Sequence, residues 1–178
     1  VHFQKEVSKI IGRNIVRGLL LNAEYETQIP ERESWILKED LPEPVLCIIA
    51  ACKATIKWLY GLKNDDISSA QKTVKIYDAL IITNGNIQEK NKINKFESAW
   101  IKLTAAKAIL KIAENKSYQK SVAPQHFLNL SKIMLDENVE LREEFVKRLH
   151  KGLSRGLTLE NALPLEYLSL YVFGGLEK

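Results

Sequence analysis

"PQHFLNL" (Pro124–Leu130) and "PLEYLSL" (Pro164–Leu170) both read Pro-x-x-aromatic-Leu-x-Leu, and their prolines stand 40 residues apart. Proline suits the first turn of a helix, where the amide it lacks would have no intrahelical partner. The aromatic and the two leucines then supply one apolar face. The same interval returns elsewhere. Laid against Asn138–Arg155, the stretch Ser98–Asn115 sets Ile101 on Leu141, Ala105 on Phe145 and Ile109 on Leu149. Lys102 falls on Arg142, Lys107 on Lys147 and Lys111 on Lys151. Apolar meets apolar and basic meets basic. A two-helix unit recurring at roughly 40–47 residues is the mark of HEAT and armadillo solenoids, whose units bury both apolar sides only by stacking.

Helical spacing accounts for most of the chain. Val7–Leu21 has an apolar stripe, Val45–Leu62 is apolar on several faces, and Phe96–Glu114 is apolar nearly all round, as in a helix covered from two directions. Asp65, Asp66 or Ser68 is placed to cap a helix that runs to about Thr83 and stops at Asn84-Gly85. Ala123–Leu135 and Asn138–Leu157 form a further pair. No stretch sustains strand alternation, so the expected fold is all-α, an α-solenoid of HEAT-type two-helix repeats without a β-sheet.

Within that frame residues 22–44 read as an acidic inserted loop, with three prolines and seven carboxylates, pinned by Trp35 and Ile36. Residues 84–95 read as a polar loop, and 164–178 as the first helix of a next, truncated repeat. The chain opens on Val1 and holds one methionine, Met134, so residues 1–178 read as a fragment of a longer solenoid.

Composition bounds function more by exclusion. The longest apolar run, Val45–Cys52, stops at Lys53, short of the ~18 residues of a membrane span. Cys47 and Cys52 read as small buried hydrophobes rather than a mutual disulfide. His2, His126 and His150 are far apart, His126 reading as a capping or surface residue. No ligand spacing suggests a metal, no catalytic residue stands out and no phosphate loop is present, so the expectation is a non-enzymatic binding scaffold.

The net charge of +4 is unevenly placed: residues 1–44 carry 6 Lys/Arg against 8 Asp/Glu, and residues 45–178 carry 20 against 14. Lys107, Lys111, Lys147, Lys151 and Arg155 occupy equivalent outward positions on second helices, with Arg148 on their flank. This basic column is the candidate partner-binding site, suited to an acidic peptide, a polyphosphate or a nucleic-acid backbone. Arg142 lies inside the apolar stripe of its helix and needs a partner, for which Asp136 or Glu137 stands ready. Lys102, Arg142 and Asp136 therefore read as a structural ladder.

Four strings together carry a resemblance: "KATIKWLYGLKN" (Lys53–Asn64), "IKLTAAKAILKIAE" (Ile101–Glu114), "FVKRLHKGLSRG" (Phe145–Gly156) and "LPLEYLSLYVFG" (Leu163–Gly174). In this order, behind an acidic Trp-containing loop, they resemble the middle region of the precocious dissociation of sisters family, cohesin regulators of sister chromatid cohesion. The link Gly156–Ala162 looks longer than the family's. The resemblance implies a long HEAT-repeat protein of the nucleus, associated with chromosomes. It would bind the cohesin kleisin subunit, act with the release factor Wapl, and in vertebrates associate with an inositol polyphosphate. The competing reading is a generic solenoid adaptor that offers a basic groove to acidic peptides, or direct binding of a nucleic-acid backbone.

Overall fold

The long helix α4 (Lys95–Glu114) organises the molecule. Its side chains at Ile101, Leu103, Ile109, Leu110 and Ile112 are fully buried, and alanines at 99, 105, 106, 108 and 113 let neighbouring helices approach closely. The computed structural model describes residues 2–22, 24, 26, 35–62, 66–89, 93–155 and 162–174, and among them no β-sheet forms.

Before α4 come α1 (His2–Ile10), α2 (Glu43–Tyr60) and α3 (Ile67–Ile82); after it come α5 (Pro124–Ile133), α6 (Val139–Ser154) and α7 (Leu170–Gly174). Helix α1 runs straight into a π-helical stretch, Ile11–Leu21, which closes with the Asn22 amide on the Arg17 carbonyl at 3.0 Å. The two together pack on α2, and the Trp58 indole N–H donates to the Ser8 hydroxyl at 3.2 Å.

The helices fall into two layers. α3, α5 and α7 follow one another as first helices, and α2, α4 and α6 stack as second helices. This is the all-α, HEAT-type solenoid arrangement. The two opening motifs meet directly: Phe127 and Tyr167, equivalent residues 40 positions apart, pack edge to face with ring centroids 5.3 Å apart. One start differs from expectation. Pro164 opens a 3-10 turn, Leu165–Ser169, and the α-helix begins only at Leu170. Residues 156–161, which hold most of the long link, lie outside the described residues, as do 175–178 and most of the acidic loop.

Local chemistry sets the boundaries. Asp66 caps α3, its carboxylate accepting from the Ser69 amide at 3.0 Å and the Ser69 hydroxyl at 2.7 Å. The same helix ends where Asn84 (φ 53°) and Gly85 (φ 81°) turn left-handed, with the Gly85 amide on the Leu80 carbonyl at 2.8 Å. A Cβ at Gly85 would lie 3.0 Å from Ile101 Cδ1, so packing on α4 adds to the backbone requirement there. Asn94 and Glu97 form a capping box at the start of α4.

Tyrosine hydroxyls tie the layers together. Tyr77 donates to the Cys52 carbonyl at 2.8 Å, Tyr118 to the Leu59 carbonyl at 3.0 Å, and Tyr60 to the Lys111 carbonyl at 2.5 Å. The described part of the acidic loop is pinned at Trp35 and Ile36. Ile36 is buried, the Trp35 ring lies 5.1 Å from that of Trp100, and the Trp100 indole donates to the Ile36 carbonyl at 2.9 Å.

Helix α2 is long and apolar enough on average to cross a membrane. Its apolarity has another use here: Val45, Ile48, Ile49, Cys52 and Leu59 are buried in the core, and Lys53 and Lys57 interrupt its apolar run.

Candidate partner-binding site: a cation-rimmed groove between second helices

Stacking second helices brings the sequence-predicted basic residues onto one layer, but not as a row of free charges. Glu144 on α6 accepts from Lys107 on α4 at 3.0 Å and from Lys147 at 3.1 Å, so two equivalent lysines share one carboxylate. Those hydrogen bonds hold the Glu144 carboxyl below its ordinary range. The fully buried Glu114 lies 2.6 Å from Arg148, 2.9 Å from Lys111 and 3.8 Å from Arg155. Arg148 is thus drawn inward rather than displayed. Lys151 is exposed, and the His150 ring beside it lies 3.4 Å from the Ser154 hydroxyl. The column read from the sequence is therefore interleaved with carboxylates. Its pattern of basic on basic is visible at the 40-residue shift; the acids that land between the units come from other positions and have no such signature.

Lys102, Arg142 and Asp136 come together. Lys102 donates to the Asp136 carboxylate and Arg142 to the Asp136 carbonyl, while Asp136 Oδ1 also accepts from the Asn138 amide at 3.0 Å. Equivalent residues of two units again share a partner. His126, read from the sequence as capping or surface, is largely buried instead. Its Nδ1 lies 3.0 Å from Asp78 Oδ2, out of line for a hydrogen bond, and both Asp78 oxygens accept from the Asn129 amide at 3.0 Å. The two cysteines are free thiols; Cys52 is buried as expected, whereas Cys47 is half-buried.

Sequence reading missed the third member of the series. Helix α2 carries Lys53-Ala-Thr-Ile-Lys57, α4 carries Lys107-Ala-Ile-Leu-Lys111 and α6 carries Lys147-Arg-Leu-His-Lys151. The Lys-x-x-x-Lys spacing was the available signal; the polar loop between α3 and α4 stretches the interval from 40 to 54 residues and hides it. On α2, Ile49, Cys52, Lys53 and Ile56 share one helical face, and on α4 Trp100, Leu103, Thr104, Lys107, Ala108 and Lys111 share another. Between these faces runs a groove of about 260 Å³, joined at its margins by Lys38 and by Arg148 of α6. Burial lowers the pKa of the Lys53 ammonium, and the nearby charges of Lys38, Lys107 and Lys57 lower it further.

Among the described residues no three His, Cys, Asp or Glu side chains gather as metal ligands. The groove offers instead an apolar floor and a cationic margin, a surface suited to binding.

Comparison with known proteins now settles the lineage. The family of sister chromatid cohesion protein PDS5 matches residues 1–178. The chain belongs to the PDS5 family. It is 29% identical over 169 residues to the human protein named sister chromatid cohesion protein PDS5 homolog A, covering 95% of this chain and 12% of that one. It is 28% identical over 169 residues to the chicken homolog A, with the same coverage, and 27% identical over 171 residues to the Xenopus laevis homolog B-B, covering 94% of this chain and 11% of the relative. The chain thus spans about 12% of the length of such PDS5 relatives.

Proposed function

We propose that this chain is a segment of a PDS5-type scaffold that regulates cohesin on chromosomes, without catalysis of its own, by helping to hold the kleisin subunit. The family match over residues 1–178 carries this reading. Action alongside Wapl and a place in the nucleus belong to the same proposal. The physical support is the layer of second helices, where Lys147 and Lys151 of α6 are exposed and Arg155, half-buried near Glu114, follows at the same four-residue spacing. Exposed cations steer and orient an acidic segment.

Two other ligands fit less well. An inositol polyphosphate needs cations converging without carboxylates between them, and here Glu114 and Glu144 sit among the cations of α4 and α6. A nucleic-acid backbone meets the same carboxylates.

The test uses the full-length protein with Lys147→Glu, Lys151→Glu and Arg155→Glu combined. Capture of purified kleisin should be lost in the triple variant and weakened in Lys151→Glu alone, whose exposed site should leave the melting temperature within a few degrees of wild type. Full retention of capture would remove these three residues from the interface.

A further inference from the structure

We propose that the groove between α2 and α4 is the docking site for a short acidic segment of a protein partner, with one bulky apolar side chain seated on Ile56 and Leu103 and flanking carboxylates on Lys38 and Lys53. The inference rests on the reading that the chain holds a cohesin subunit, and it names the chemistry of the segment held.

Three observations converge on it. The groove floor is built from apolar side chains of two stacked helices, and at about 260 Å³ it falls below the ~300–1,000 Å³ typical of small-ligand pockets. That is room for a side-chain anchor. At the margin, Lys38 and Lys53 come within reach of each other, and no carboxylate among the described residues pairs with either. Like charges held together in a partly desolvated place are relieved by an incoming anion, which is the physical sense of the depressed Lys53 ammonium. Finally, the Lys-x-x-x-Lys pattern recurs on α2, α4 and α6. Since Lys107 and Lys147 share Glu144 and Lys111 lies on Glu114, the acidic part of a segment is directed to the α2 side of the groove, at Lys53 and Lys38.

The occupant follows from the floor. A polyphosphate or a nucleic-acid backbone gains nothing from Ile56 and Leu103, and Trp100 is already engaged through its indole N–H with the Ile36 carbonyl. A peptide gains from both parts of the site, the apolar anchor supplying affinity and the charges orientation.

The experiment compares three forms of the full-length protein: wild type, Lys38→Glu with Lys53→Glu, and Thr104→Trp, which fills the groove from α4. Melting temperatures establish that each is folded; if Thr104→Trp melts early, Thr104→Leu takes its place. Capture of purified cohesin is measured for each, with and without inositol hexakisphosphate, and peptides tiled along the captured subunit are probed for binding. The proposal expects both variants to lose at least about tenfold in affinity, and expects the bound peptides to carry Asp or Glu around a Leu, Ile or Phe. Undiminished capture by both variants overturns the groove and leaves kleisin holding elsewhere on the chain intact. Loss with the charge variant alone, or displacement by stoichiometric inositol hexakisphosphate, overturns the apolar anchor. Failure of wild type itself to capture cohesin defeats the broader reading and the groove with it.

Discussion

Phe127 and Tyr167 occupy the same place in two motifs 40 residues apart, and their rings meet edge to face at 5.3 Å. Contact between equivalent positions is what stacking of like units produces. The same relation joins Lys102 and Arg142 at Asp136 and Lys107 and Lys147 at Glu144. An edge-to-face pair contributes about 0.5–1.5 kcal/mol beyond its buried area. A double-mutant cycle with Phe127→Leu and Tyr167→Leu, read by urea denaturation, should therefore show a coupling in that range. Strict additivity would mean that the two starts are held apart.

The buried carboxylate of Glu114 is a further node of register, binding Lys111 from its own helix and Arg148 from the next. Glu114→Ala should cost about 3 kcal/mol or more, because it strands cations that are partly desolvated. Lys151→Ala, at an exposed site, should stay within about 0.5 kcal/mol of wild type.

Gly152 sits where α6 passes that node. A Cβ there would come within 2.5 Å of Leu163 Cδ1 and 3.2 Å of Glu114 Oε1. Gly152→Ala should destabilise by about 1–3 kcal/mol through overpacking. Leu163→Ala should recover part of the loss when combined with it, so thermal melts of the four forms should be non-additive.

Two carboxylates make stability depend on pH in a known direction. The Asp66 pKa is lowered by the Ser69 hydroxyl and amide, and the Glu144 pKa by Lys107 and Lys147. A depressed folded-state pKa means that the stabilisation is complete above the unfolded carboxylate range and disappears as pH falls through the folded value. Wild type should lose stability on acidification more steeply than Asp66→Ala, which forgoes about 1 kcal/mol of cap at neutral pH. Parallel pH profiles would show that the cap does not titrate.

The cysteines should differ in reactivity. Burial pushes the Cys52 thiol up to about 12 and leaves it without solvent contact, whereas Cys47 is half-buried. A thiol reagent at pH 8 should label Cys47 in the native protein and reach Cys52 only after denaturant. Native labelling of both would show that α2 is open on its core side.

The sequence made the repeat legible because stacking constrains apolar and basic positions alike. Leu141, Phe145 and Leu149 recur at a fixed interval and are all buried, and the prolines announce the helix starts. What stayed hidden is tertiary. Glu114 and Glu144 look like ordinary surface acids in the chain, yet each lands between helices where cations from two units meet. The groove was concealed for a different reason: residues 84–95 lengthen one unit, so the lysines of α2 fall out of the 40-residue step although they sit on the same layer. Asp78 of α3 also meets His126 and Asn129, which stand three apart on α5, and no spacing in the chain relates the acid to that pair.

The most direct measurement is site-specific photo-crosslinking from Lys53 in the full-length protein, carried out on purified cohesin with DNA present. Residues from α2 and α4, with Arg148 of α6, line one groove; if it receives the partner as proposed, the crosslink should map to a single acidic stretch of the kleisin that includes a bulky apolar residue, and Lys38→Glu should abolish it. Crosslinks to DNA, or to no cohesin subunit while cohesin remains bound, would contradict that assignment.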